Sequence, residues 1–142
     1  MAIYSLANRT TNVTIANACL EIRTAATDRP RIMEIGIFLA SAIASVFGLG
    51  RPQAIGVTPT SPVTVLQEDP GEAAGTVQTA LAWGTGPTVP LQFFRRIGLP
   101  ATIGTGVIWT FPRGLIIPIS SSIVIWNITA AGVADIYIVI DE

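Results

Sequence analysis

The sequence predicts an all-β fold, a jelly-roll-like β-sandwich with Greek-key connections, and three observations predict it. Runs rich in Ile, Val, Thr and aromatic residues recur at short intervals, enough for roughly eight to ten strands. The segments between them are rich in turn formers, with 13 Gly and 10 Pro in 142 residues. Two connections, 50–62 and 67–75, are too long for tight hairpins and suit a Greek-key crossover better than a meander.

The last third of the chain anchors this reading. Ile123, Val124, Ile125, Trp126 and Ile128 form one β-rich run, and Ala134 to Ile140 form the next. Thr129-Ala130-Ala131-Gly132 between them predicts a hairpin connection. In the final run Ala134, Ile136, Ile138 and Ile140 share one face, while Asp135, Tyr137, Val139 and Asp141 share the other. The second face is not fully polar, so it is expected to meet another sheet or another subunit.

The rest follows in order. Residues 1–16 are expected to form an N-terminal arm or edge strand, and 17–142 a single sandwich domain. Ala18–Thr24 alternates as a strand, Thr27–Pro30 is a turn, and Arg31–Leu39 is a second strand. Ala40–Ala42 is a bend before a strand at Ile43–Leu49. A helix over 37–47 is the competing assignment; Gly36, Gly48 and the β-branched residues favour strands. The apolar stretch Ile35–Gly50 is shorter than the about 20 residues of a spanning helix, so it reads as two buried strands.

Residues 50–62 are expected to be loop, Val63–Leu66 a short strand, and Gln67–Gly75 an exposed acidic loop. Thr76–Trp83 alternates as a strand, 84–90 is a break, and Leu91–Ile97 is a strand carrying Arg95 and Arg96 on opposite faces. After a loop at 98–106, Val107–Phe111 is a strand centred on Trp109. Phe111-Pro112-Arg113-Gly114 has the residue preferences of a type I turn.

Composition narrows the function classes. Only 12% of residues are charged, against about 25% in ordinary soluble domains. A chain with so few charges is expected to bury much of its surface against copies of itself or a larger assembly. All eight basic residues are Arg, there is no Lys, and no basic stripe exists, so nucleic acid is not an expected partner. The absence of His removes His-based acid–base catalysis and most transition-metal sites. Cys19 is expected to be a small buried hydrophobe. The Gly-x-Gly pairs at 48–50, 84–86 and 104–106 lack the rest of a phosphate loop, and no cofactor is expected. Glu68, Asp69 and Glu72 do not have EF-hand spacing and read as a solvated loop. Trp83, Trp109 and Trp126 fall in strand-like runs and read as core or interface anchors.

A resemblance adds to this. The stretch Gly50-Arg51-Pro52-Gln53-Ala54-Ile55-Gly56-Val57-Thr58-Pro59, then Ala82-Trp83, Arg95-Arg96, residues 104–115 (GTGVIWTFPRGL) and an Asp-Glu ending resemble small virion proteins of tailed bacteriophages, of the kind that decorate or cement the capsid. The resemblance covers residues 30–142. It implies a jelly-roll or sandwich subunit, often trimeric, on the capsid exterior, with the major capsid protein and further copies of itself as partners, no membrane partner and no catalytic residues. Interface positions are expected at Arg51, Trp83, Arg95, Arg96, Trp109, Arg113 and Tyr137. The alternative reading is a jelly-roll module of a phage tail or fibre that binds carbohydrate or a receptor; an enzyme with paired carboxylates ranks below both.

Overall fold

The computed structural model describes residues 2–10, 17–24, 27–129 and 132–142. All regular structure among them is β. The strands are β1 (Ile3–Arg9), β2 (Asn17–Arg23), β3 (Arg31–Leu39), β4 (Ser45–Gly50), β5 (Val57–Thr60), β6 (Leu66–Gln67), β7 (Gln78–Ala80), β8 (Ala82–Thr85), β9 (Arg95–Leu99), β10 (Gly106–Ile116), β11 (Ser122–Asn127) and β12 (Ala134–Asp141). They form two five-stranded sheets packed as a sandwich and one two-stranded ribbon. Sheet A runs β10-β3-β12-β1-β6, sheet B runs β7-β2-β11-β4-β9, and the ribbon pairs β5 with β8.

The inner faces follow from period-2 alternation. Ile35, Ile37, Ile136, Ile138, Ile140, Leu6 and Trp109 of sheet A meet Leu20, Ile22, Phe47, Leu49, Ile123 and Ile125 of sheet B in one buried cluster. Each fully buried aliphatic side chain contributes about 1.5–3 kcal/mol, so this double Ile ladder is the main source of stability. Cys19 lies in the same core, 2% exposed, and burial pushes its thiol pKa up to about 12. That chemistry is inert, as expected of a buried hydrophobe.

Among the described residues, no strand pairs with the strand that follows it. This corrects the hairpin expected at the end of the chain. β11 lies between β2 and β4 in sheet B, and β12 lies between β3 and β1 in sheet A. Both strands carry Ile ladders for the same interior, so they meet through side chains across the core and not through their backbones. Ala130 and Ala131 of the expected turn lie outside the described residues.

Several boundaries differ from expectation. The turn expected at 111–114 is instead the middle of β10, which continues to Ile116 through an irregularity between Thr110 and Leu115. Pro112 has no N–H for a ladder, and a bulge on an edge strand is where a strand tolerates that. The strand expected at 76–83 divides at Leu81: β7 pairs with β2, while β8 peels away to pair with β5. β5 itself falls inside the expected 50–62 loop. The expected 91–97 strand begins only at Arg95, and β6 holds two residues, Leu66 and Gln67. At the other end of the chain, residues 3–9 form β1, which pairs along its length with β12 and at Tyr4 and Ser5 with β6. Residues 11–16 of the expected arm lie outside the described residues.

Candidate functional site

The alternation that sends isoleucines inward fixes what sheet A shows outward. From β3 come Glu34, Gly36 and Phe38; from β12, Asp135, Tyr137 and Val139; from β10, Ile108; from β1, Ala7 and Arg9. Tyr137 stands opposite Gly36 in the ladder, and its ring lies on the space a Cβ would fill. The phenol donates to Glu34 Oε1 at 2.6 Å and the ring stacks against Phe38 with centroids 6.4 Å apart. The hydrogen bond to Glu34, with burial added, raises the Tyr137 pKa. Ile108 flanks Gly36 from the other side and is 52% exposed. Arg9 closes the margin with a two-pronged ion pair to Asp135, at 2.7 and 2.9 Å. Phe38, Tyr137 and Val139 remain half-exposed, so the face presents apolar surface with few charges.

Sheet B treats its outer face differently. Ala18, Val124 and Trp126 point away from the core but are buried, packed against Trp83, Phe93 and Ile128. The cover is the β5–β8 ribbon and the segment that follows it. It is pinned by Glu21, whose side chain is fully buried on β2. Glu21 Oε2 accepts from Arg23 Nη2 at 2.7 Å and from Trp83 Nε1 at 2.5 Å. Oε1 accepts from Ser122 Oγ at 2.7 Å and from the Gly56 amide at 3.3 Å. Arg23 also donates to the Gly56 carbonyl. One carboxylate thus gathers donors from its own strand, from β11 and from the cover. Burial alone would raise its pKa; the hydrogen bonds from Arg23, Ser122, Gly56 and Trp83 together outweigh that and hold it below the ordinary value.

The expected interface positions are distributed over these features. Tyr137 is on the open face of sheet A. Trp83 belongs to the cover of sheet B and borders a groove of about 300 Å³ with Asn17, Leu81 and Pro87. Trp109 is 8% exposed and packs in the core, the core reading of the two the sequence offers for it: it is opposite Ile35, and that register turns it inward. Arg51, Arg95 and Arg113 converge where β9 and β10 adjoin. Arg51 donates to the Ile116 carbonyl at 2.9 Å and lies 4.8 Å from the Phe94 ring centroid. Arg95 lies 5.3 Å from the Phe111 ring centroid and donates to the Phe94 carbonyl at 2.9 Å. Arg113 is exposed in the β10 irregularity, its carbonyl accepting from Arg31. Arg96 is exposed on the other side of β9, opposite Gly48.

The acids of the 67–75 loop are engaged separately. Glu68 accepts from the Ser5 hydroxyl, and Asp69 Oδ1 caps the Gly71 amide at 2.8 Å. Sequence reasoning missed Glu21. The signal was present in a carboxylate two residues before an Arg on an alternating strand, where both share a face. Comparison with protein-family models, curated proteins and solved structures returns no match to this chain.

Proposed function

We propose that the chain is a non-enzymatic structural protein of a bacteriophage particle, which decorates the capsid exterior and stabilises it by bridging neighbouring capsomers. The observation that carries this reading is the open face of sheet A, which exposes Phe38, Tyr137, Ile108 and Val139. Burying apolar area contributes about 25 cal/mol per Å², and a stable contact needs about 800 Å² per partner. A broad sheet face can supply such a contact without any specialised pocket. The expected partners are the major capsid protein and further copies of this chain, with a trimer as the assembly the resemblance implies.

The strand order supports the reading. Without the short edge strands β6 and β7, sheet A runs β10-β3-β12-β1 and sheet B runs β2-β11-β4-β9. That is the order two Greek keys give in a jelly roll, an architecture used by viral capsid and lectin domains.

The test is cosedimentation with empty shells assembled from the major capsid protein of the phage that carries this chain. Wild-type protein is expected to pellet with the shells. Ile108→Asp combined with Tyr137→Asp is expected to stay in the supernatant with an unchanged circular dichroism spectrum. Folded wild-type protein that ignores shells, or a double variant that binds as well as wild type, would overturn the proposal.

One observation favours a second reading, a carbohydrate- or receptor-binding module of a phage tail or fibre: the half-exposed Trp83 ring beside its groove. Glycan binding lost on Trp83→Ala in a folded protein would put that reading first.

A further inference from the structure

Sheet A has two open edges of opposite charge. At one, β10 adjoins β9, and Arg95, Arg96 and Arg113 are exposed there beside the half-buried Arg51. Among the described residues only Arg9 and Arg23 form ion pairs with carboxylates. The guanidinium groups of Arg51 and Arg95 are held by carbonyls and aromatic rings, which fix their positions and leave their charge uncompensated. At the other edge, β6 leads into Glu68, Asp69 and Glu72, all exposed and none in an ion pair. Each edge also offers apolar surface: Phe94 at 38% and Ile116 at 39% exposure on the basic side, Leu66 at 61% and Ile3 at 39% on the acidic side.

The register places the two edges at one level. Leu115, Ile32, Ile140, Tyr4 and Gln67 form a single row across β10, β3, β12, β1 and β6. β10 and β6 run in the same direction, so Arg113, before this row on β10, and Glu68, after it on β6, fall on opposite sides of the row but within about three residues of one level. A rotation preserves height along its axis. Complementary patches at similar height on opposite edges can therefore meet in a closed ring about an axis parallel to the strands, whereas a large offset would build a filament. An interface of one patch with its own copy would instead set Arg against Arg.

We infer that these edges are the two halves of one head-to-tail interface, through which copies of this chain close into a ring, the basic β9–β10 edge of each subunit facing the acidic β6 edge of the next. The inference rests on the reading of the chain as an assembly subunit and names the surface its copies use. Pro112 and the two-residue length of β6 restrict backbone pairing across the joint. The contact is therefore made by side chains, with charge selecting the partner edge and the apolar residues contributing area.

The test is the solution mass of the full chain, by light scattering and sedimentation. Wild-type protein is expected to be oligomeric at low salt and to fall toward monomer at about 1 M salt, where the Debye length is about 3 Å. Arg95→Glu, Arg96→Glu and Arg113→Glu together make both edges acidic; Glu68→Arg with Glu72→Arg makes both basic. Each variant alone is expected to be a folded monomer, and an equimolar mixture is expected to reassociate into complexes containing equal numbers of both. A wild-type monomer at low salt, the result expected if the edge charges only keep copies apart, would overturn the inference. So would variants that keep the wild-type mass, or a mixture that remains monomeric. Shell binding is read separately, so an oligomer indifferent to both reversals leaves the capsid proposal standing, and a ring that ignores shells does the opposite.

Discussion

Val124 and Trp126 on β11 turn away from the core and are still fully buried, whereas Tyr137 and Val139 on β12 turn away from the core and stay half-exposed. The strands are equally apolar and occupy equivalent central positions. What differs is that the chain folds a ribbon back over sheet B and leaves sheet A open. The ribbon is short and mostly exposed, and cannot hold itself in place by area. Its position depends on Glu21, which offers four acceptor contacts in the one spot where Gly56 and Trp83 must land. Apolar side chains decide that a face wants covering; a single buried carboxylate decides where the cover sits.

The largest test of this difference is to remove the pin. Glu21→Ala leaves Arg23 poorly solvated and strips the ribbon of its anchor, with an expected loss of about 3–5 kcal/mol in chemical denaturation and earlier proteolysis between residues 51 and 60. The same group gives a pH dependence of known sign. Its folded pKa lies below the ordinary 4.5, so its contribution to stability is present above that value and is lost as pH falls through the folded pKa. Glu21→Gln is expected to flatten that acid limb of the stability curve, measured by thermal melts from neutral pH downward.

Two glycines sharpen the comparison. Gly56 lies under Trp83 and Gly36 under Tyr137, and a Cβ at either would intrude on the ring above. Trp83 is part of the cover and is fixed in place by Glu21, so Gly56→Ala is expected to approach about 3 kcal/mol, the upper end of overpacking costs. Tyr137 can swing toward solvent, so Gly36→Ala is expected to cost about 1 kcal/mol. Equal losses in paired denaturation curves would mean that the two faces are not different in kind. The smallest effect is Tyr137→Phe, which removes the bond to Glu34 on the open face and is expected to shift stability by about 0.5–1 kcal/mol. A loss comparable to that of Glu21→Ala would mean that this face is structurally as closed as the other.

The strands were legible wherever β-branched runs were long, as at Arg31–Leu39, Ile123–Ile128 and Ala134–Ile140. The apolar character of β12's second face was legible too, because Tyr137 and Val139 interrupt what a solvated face would carry; that no other sheet among the described residues covers it was not. Pairing was not. The four residues between Ile128 and Val133 look like a hairpin turn, and local sequence cannot tell a turn that returns beside its strand from one that crosses a core. Pro112 and Gly114 likewise imitate a turn, because a bulge and a turn use the same residues. For Trp109 the strand was readable but the face was not, since that depends on which partner fixes the register. Glu21 escaped notice because its importance comes from Ser122, Gly56 and Trp83, all distant in sequence.

The pairing of β12 between β3 and β1 also sets an order of events during synthesis. β1 emerges from the ribosome early, and of the neighbours it has in sheet A, the one that holds it along its whole length is translated last. Until residues 134–141 appear, β3 is paired on one side only and β1 has just the two residues of β6 beside it. Sheet B, by contrast, needs nothing later than β11. The nascent chain therefore waits with half of its sandwich unclosed, and closure depends on contacts of long sequence separation, which form slowly. A ribosomal pause before residue 134 would hold the chain in that state, where chaperone capture and premature association compete with folding.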